Sequence, residues 1–266
     1  MLKITSLQNG RIKEAIALRD RRDRDKAGQF LIEGYRELMR AIDAARLIHT
    51  IFFCPSLFLG TNERQLLERS GAELIECTEE VFAKLSYRDR PDGLVAVAPQ
   101  LHLSLADLKL KEKPFLVIAE SIEKPGNLGT ILRSCDAAGV DAVIVCDPTT
   151  DIHNPNVVRS SVGTLFTLPV IEAKSLDTLQ FLKERSIAVV AATPHAKEEF
   201  TQVDLSGAVA VVVGTEQYGL SETWMKGADI LVKIPMLGVA DSLNVASATT
   251  LMLYEVVRQK RNHLAI

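Results

Sequence analysis

The chain has 266 residues, 47% of them hydrophobic and 24% charged, with 31 Lys plus Arg against 34 Asp plus Glu and a formal charge of −3. That balance excludes disordered and collagen-like chains, and the length allows one large domain or two smaller ones, each able to bury a core. The longest uninterrupted apolar runs, 187–192 and 208–213, are six residues long, against about 20 for a membrane-spanning helix. The opening MLKITSLQNGRIKEA has no apolar core of signal-peptide length, so a cytoplasmic location away from any membrane is expected. Cys54, Cys77, Cys135 and Cys146 have neither zinc-site spacing nor the density of a disulfide framework, and the five histidines are scattered. Reduced, mostly buried thiols and no metal are expected.

In chain order, residues 1–50 come first and hold 11 Lys or Arg against 7 Asp or Glu, with seven of those bases between Arg11 and Lys26. The alternating signs of RDRRDRDKAG suit a solvated helix laced with its own ion pairs. They suit a surface for RNA phosphates equally well. A strand at 30–32, a helix at 37–45, an apolar run at 48–54, a helix at 63–69 and a short strand at 94–98 read as α/β. PQLHLSLADLKLKEKP, between Pro99 and Pro114, reads as a connector. The boundary is placed near residue 105, giving domains 1–105 and 106–266. Beyond it, apolar runs at 115–119, 142–146, 187–192, 208–213 and 230–234 alternate with helical patterns. Runs without polar alternation predict strands covered on both faces, hence a mostly parallel sheet flanked by helices. Ligands of such sheets bind at the carboxyl ends of the strands.

Three strand ends carry unusual residues. After the run at 115–119 comes ESIEKPGNLGTILRSCDAAGV, where Gly126 and Gly129 permit close backbone approach around Asn127 and Arg133 lies about one helical turn beyond Gly129. An anion site at this helix start competes with a plain Asn-Gly turn, and the glycine spacing matches neither a P-loop nor a dinucleotide fingerprint. In VVVGTEQYGLSETW, Glu216 follows Gly214, Gly219 turns the chain and Ser221 is placed as an N-cap. In IPMLGVADSLNVASATTLMLYEVVRQKR, Ser242-Leu243-Asn244 leads directly into a long helix that Asn244 can cap. Its basic end, Arg258, Lys260 and Arg261, suits the helix dipole.

In this order and at these strand ends, the three segments resemble the signature of the SpoU/TrmH family of RNA ribose methyltransferases, from about Phe115 to Arg261. The first family motif corresponds to Asn127, Gly129 and Arg133, the second to Gly214, Glu216, Gly219, Leu220 and Ser221, and the third to Ile234-Pro235-Met236, Gly238 and Ser242-Leu243-Asn244-Val245. The chain departs at Ala246-Ser247, where many relatives have Ser then Val. The segment ITSLQNGRIKEAIALRDRRDRDKAGQFLIEGYREL also looks like the RNA-binding domain, similar to a small ribosomal protein, that many members carry.

The resemblance implies a parallel-sheet domain whose C-terminal part threads a trefoil knot, a topology that chain rules would never suggest, and a homodimer packed through that knot. It implies S-adenosyl-L-methionine as cofactor, held by Gly214, Ile234, Met236 and Leu243, and methyl transfer to a ribose 2′-hydroxyl. Arg133 is then expected to anchor the target phosphate and stabilise the developing alkoxide, since guanidinium is a poor general base. Asn127 belongs to the same catalytic set, Ser242 and Asn244 orient the ribose, and Glu216 fixes a partner in place. The substrate is RNA, not DNA, and ribosomal RNA is preferred to transfer RNA. Arg11, Lys13, Arg21, Arg22 and Arg24 are expected to contact backbone phosphates. Arg159 is a further phosphate candidate, weighed against a surface ion pair. A non-catalytic RNA-binding or ribosome-assembly protein of the same fold is the main rival, but it predicts damaged motifs. A dehydrogenase predicts a glycine fingerprint that is missing.

Overall fold

β-Branched pentapeptides and amphipathic segments alternate along the chain, and in the computed structural model, which describes residues 2–264, they sort into two units. The first begins with β1 (Leu2–Ile4), α1 (Gly10–Ala17), α2 (Arg21–Ala27) and β2 (Gln29–Glu33). It continues through α3 (Tyr35–Asp43), β3 (Thr50–Phe53), α4 (Glu63–Arg69), β4 (Glu73–Cys77), α5 (Glu79–Leu85) and β5 (Leu94–Pro99). Its sheet runs β1-β4-β3-β5-β2, parallel at β1/β4 and β3/β4 and antiparallel at β5. Phe52, Ile75, Phe82 and Val95 are buried together with Ile12 and Leu18 in its core.

The second unit begins with β6 (Phe115–Glu120), α6 (Pro125–Ala138) and β7 (Ala142–Cys146). α7 (Pro155–Ser161) comes next in the chain but clusters with the first unit, as does all of Asp151–Thr167. The second unit resumes with β8 (Val170–Ala173), α8 (Ser175–Glu184), β9 (Ala188–Ala192), β10 (Glu198–Glu199), β11 (Val209–Val213), α9 (Glu222–Gly227), β12 (Ile230–Lys233) and α10 (Val245–Leu264). Its strands form one sheet in the order β10-β12-β9-β11-β6-β7-β8, parallel at every pairing. β6, β7 and β11 are buried along their whole length, as expected of strands with helices on both faces.

The chain divides after Leu101, where the sequence reading sets its boundary near residue 105, and Asp151–Thr167 clusters with the first unit as a second piece. Its anchor is Arg24, which is 1% exposed and donates to Asp151 Oδ2 at 2.7 Å and to the carbonyls of Leu18 and Arg19. Arg40 and Arg46 donate to the carbonyls of Val162 and Phe166, and His153 Nε2 accepts the Leu101 N–H. Arg24 is therefore not a phosphate contact. The charge alternation around it conceals a guanidinium whose acceptors are two nearby carbonyls and a carboxylate far along the chain.

What positions the chemistry is the centre of the parallel sheet. β11 lies beside β6, with Val213 opposite Ala119, while the chain leaves β6 for β7 on the other side. Loops from adjacent strands thus diverge at their carboxyl ends, the place where open parallel sheets bind ligands. α6 starts there with Pro125 in its first turn and ends at Gly139 (φ 71°), where Val140 N–H donates to Cys135 O; a proline start and glycine stop set its length. Leu128, Ile131, Leu132 and Cys135 are its buried stripe, which leaves Arg133 facing solvent. α10 packs along α6, with Ser134 Oγ and Thr250 Oγ1 2.7 Å apart. The basic end of α10 does more than suit the dipole: Lys260 Nζ donates to Gly207 O at 2.8 Å and Arg258 pairs with Glu255.

Candidate active site

Three segments far apart in sequence meet in one hydrogen-bonded cluster. Asn127, in the first turn of α6, donates from Nδ2 to Glu216 Oε1 at 3.1 Å. Asn244 Nδ2 lies 2.6 Å from Glu216 Oε1 and 3.1 Å from Asn127 Oδ1, while Asn244 Oδ1 accepts the Ala246 N–H at 3.0 Å and so caps α10. Lys124 Nζ, at the N-cap position of α6, reaches Glu216 Oε2 at 2.5 Å. An amide has two N–H donors; both of Asn244's are spent inside the cluster, whereas Asn127 keeps one. The Lys124 ammonium, aided by Asn127, holds the Glu216 carboxyl below its ordinary value, and Glu216 raises Lys124 in return. Glu216 is a carboxylate at neutral pH and a weak base.

The loop that carries Glu216 is held at both ends. Thr215 and Gly219 exchange backbone hydrogen bonds at 3.1 Å, and Gly219 sits at φ 69°. A Cβ on Gly214 would lie 2.4 Å from Gly219 O, so only glycine lets the strand end pass this turn. At the far end Ser221 stands at the N-cap position of α9, but its side chain caps nothing. Its N–H donates to Glu120 Oε2 at 2.8 Å instead. Glu120, 4% exposed at the end of β6, also accepts from Ser175 Oγ, which in turn accepts from Trp224 Nε1.

The other expected residues fall as follows. Arg133 is exposed, and among the described residues its side chain has no partner. Seven residues earlier, hence on nearly the same face of α6, Gly126 leaves open space where a side chain would stand. Ser242 is exposed and Leu243 half-exposed, while Ile234 and Met236, beyond β12, are half-buried. Ala246 is buried and Ser247 exposed, so the departure from the family pattern puts the smaller side chain inside. In the first unit Arg11 pairs with Glu73 and Arg21 with Asp25, while Lys13, Arg22 and Arg159 are exposed. Reading the sequence passed over Lys124 and Glu120 as site residues, although each sits at a strand or helix end where a charge stands beside motif glycines.

The family model for SpoU rRNA methylases matches residues 114–254, more than half of the chain and all three clustered segments. The chain belongs to the SpoU rRNA methylase family. A model for the MRM3-like substrate binding domain matches residues 9–96. Among curated proteins, the 23S rRNA (uridine(2479)-2′-O)-methyltransferase of Streptomyces viridochromogenes is 32% identical, covering 97% of this chain and 92% of its own. Among solved structures, an RNA 2′-O ribose methyltransferase is 39% identical with a TM-score of 0.87 over 98% of this chain and 100% of that one. An AdoMet-bound rRNA methyltransferase from Sinorhizobium meliloti is 32% identical with a TM-score of 0.88 over 98% of both chains. For a SpoU fold, apolar Ile234, Met236 and Leu243 and the cramped backbone at Gly214 suit a cofactor gripped chiefly by main-chain groups.

Proposed function

We propose that this chain transfers a methyl group from S-adenosyl-L-methionine to a ribose 2′-hydroxyl of ribosomal RNA. The observation that carries the reading is the Asn127–Glu216–Asn244 cluster, together with an exposed Arg133 on α6 that has no partner among the described residues, in a chain that shares its fold with relatives named as 2′-O-methyltransferases. When bound, the cofactor supplies an electrophilic methyl on a sulfonium sulfur. Gly214, Ile234, Met236 and Leu243 would hold it. The chain's remaining task is to aim the ribose oxygen and stabilise the charge it develops.

A guanidinium is a poor general base, so the role of Arg133 is electrostatic. Its fork holds the target phosphate over the open face at Gly126 and stabilises the negative charge that develops as the 2′-hydroxyl passes its proton to solvent. The free N–H of Asn127 and the Ser242 hydroxyl orient the ribose, whereas Asn244, its donors spent, braces Asn127 and Glu216. On this reading the trefoil knot lies at the 214–221 and 234–244 loops. A second copy covers Leu237 and Val239, 97% and 104% exposed, with Leu251 and Tyr254 of α10. The work is done in the cytoplasm, in keeping with four buried free thiols. Methyl transfer by Arg133→Ala and Arg133→Lys tests the central role. Both are expected to lose at least about 100-fold in kcat; an Arg133→Lys variant with full turnover would remove any need for the planar fork.

A further inference from the structure

Within the first unit a surface cavity of about 570 Å³ opens between the starts of α3 and α4, the residues before β5, and α7. Its charges are sorted. Toward solvent stand Arg36 and Arg159, both exposed and, among the described residues, without a protein partner for either guanidinium. Neighbouring arginines are committed: Arg40 and Arg46 to carbonyls, and Arg88 to Glu33 O, Glu37 and Asp92. Gly34, at φ 111°, makes room for Arg88, whose Nη2 would lie 2.3 Å from a Cβ there. The inner wall is acidic: Glu37, Glu63 and Asp92 are buried, and the Arg88 guanidinium pairs with Glu37 and Asp92. Among the described residues Glu63 Oε2 and Asp92 Oδ1 have no donor, although Glu63 Oε1 accepts from Gly60 N–H and Asp92 Oδ2 from Tyr35 N–H.

A phosphate is repelled by that wall and attracted to the rim, and a buried acceptor without a donor is costly. What fits both is an anion outside joined to a neutral, N–H-rich group inside. The volume suits one small molecule and no duplex, and single-stranded RNA is read by splayed bases of this kind. We infer that the cavity takes one unpaired guanosine of the substrate RNA, its phosphate on Arg36 and Arg159 and its base against Glu63 and Asp92. Guanine alone presents adjacent ring and exocyclic N–H donors that match a carboxylate, whereas uracil flanks its single N–H with two carbonyls that carboxylates repel. The half-buried Tyr35 ring on the same wall offers a stacking face. The inference rests on RNA being the ligand, as proposed above, and adds where and how a second nucleotide is read.

The test is fluorescence anisotropy of the full chain with a uridine tract of about 12 nucleotides and the same tract with one central guanosine, the length being a single-strand site size. Wild type is expected to prefer the guanosine-bearing RNA by roughly 3–10-fold, the worth of one or two hydrogen bonds. Glu63→Gln, which keeps an acceptor for Gly60 N–H, is expected to abolish the preference without weakening binding of the uridine tract. Arg36→Ala/Arg159→Ala is expected to weaken both RNAs by about tenfold or more and to flatten the salt dependence by about two charges. Thermal melts confirm that each variant folds. No guanosine preference in wild type, or full affinity in the double arginine variant, overturns the inference. Methyl transfer to ribosomal RNA, measured on the same wild-type preparation, keeps the two readings apart. Transfer without the binding signature rejects the cavity alone, and the signature without transfer rejects the methyltransferase alone.

Discussion

At the scale of single residues, Asn244 carries two separable duties. Its Oδ1 caps α10 and its Nδ2 braces Asn127 and Glu216. Asn244→Ala removes both, with an expected cost of about 1 kcal/mol of stability from the lost cap and a turnover loss of about 100-fold from misplaced partners. Asn244→Ser keeps a neutral cap acceptor but not the amide donors, so stability is expected to hold in urea denaturation while turnover falls. Full turnover in the variant that keeps the cap, with stability lost only in Asn244→Ala, would leave capping as the whole role.

The Lys124–Glu216 pair sets a pH window. The Glu216 carboxyl lies below its ordinary 4.5, so what it contributes is present above that value and fades as pH drops through the lowered one. Lys124 lies above its ordinary 10.5, so its contribution is present below that value and fades as pH climbs through the raised one. The cluster is therefore intact across neutral pH. The kcat profile between about pH 6 and 9 is expected to show no step that disappears in Glu216→Gln; such a step would make Glu216 a proton carrier.

At the scale of elements, the buried pair Arg24–Asp151 fastens the 151–167 segment to the first unit. Arg24→Ala strands a carboxylate in the interior, with an expected cost of about 3–5 kcal/mol, whereas Arg22→Ala at an exposed site is expected to change stability by less than about 0.5 kcal/mol. Urea denaturation separates them, and a small cost for Arg24→Ala would mean that the segment is held by apolar packing alone. Sequence patterning located α4 at 63–69 and β7 at 142–146 because each is a clean run bounded by polar or turn residues. It missed β4, whose ELIEC mixes charge with apolar residues, and β8, whose VIEA is too short to show a period. It could not assign α7 to the first unit, because what places that helix is a buried ion pair spanning 127 residues. The candidate site was legible only as an ordered set: Asn127, Glu216 and Asn244 each have a structural explanation when taken alone, and their proximity is made by the adjacency of β6 and β11 and by the packing of α10 on α6. Lys124 and Glu120 escaped notice because an acid or base after a strand is usually just solvated.

At the scale of the whole molecule, the chain pairs a parallel-sheet unit bearing the three-motif cluster with a first unit whose residues match a substrate-binding domain. One measurement tests the central claim most directly: labelled S-adenosyl-L-methionine incubated with total ribosomal and transfer RNA and the wild-type chain, followed by mapping of ribose methylation. Label at a 2′-hydroxyl of ribosomal RNA, and none with Arg133→Ala, is the expected result. Label on a base or on transfer RNA alone, or equal label with the Arg133→Ala variant, would contradict it.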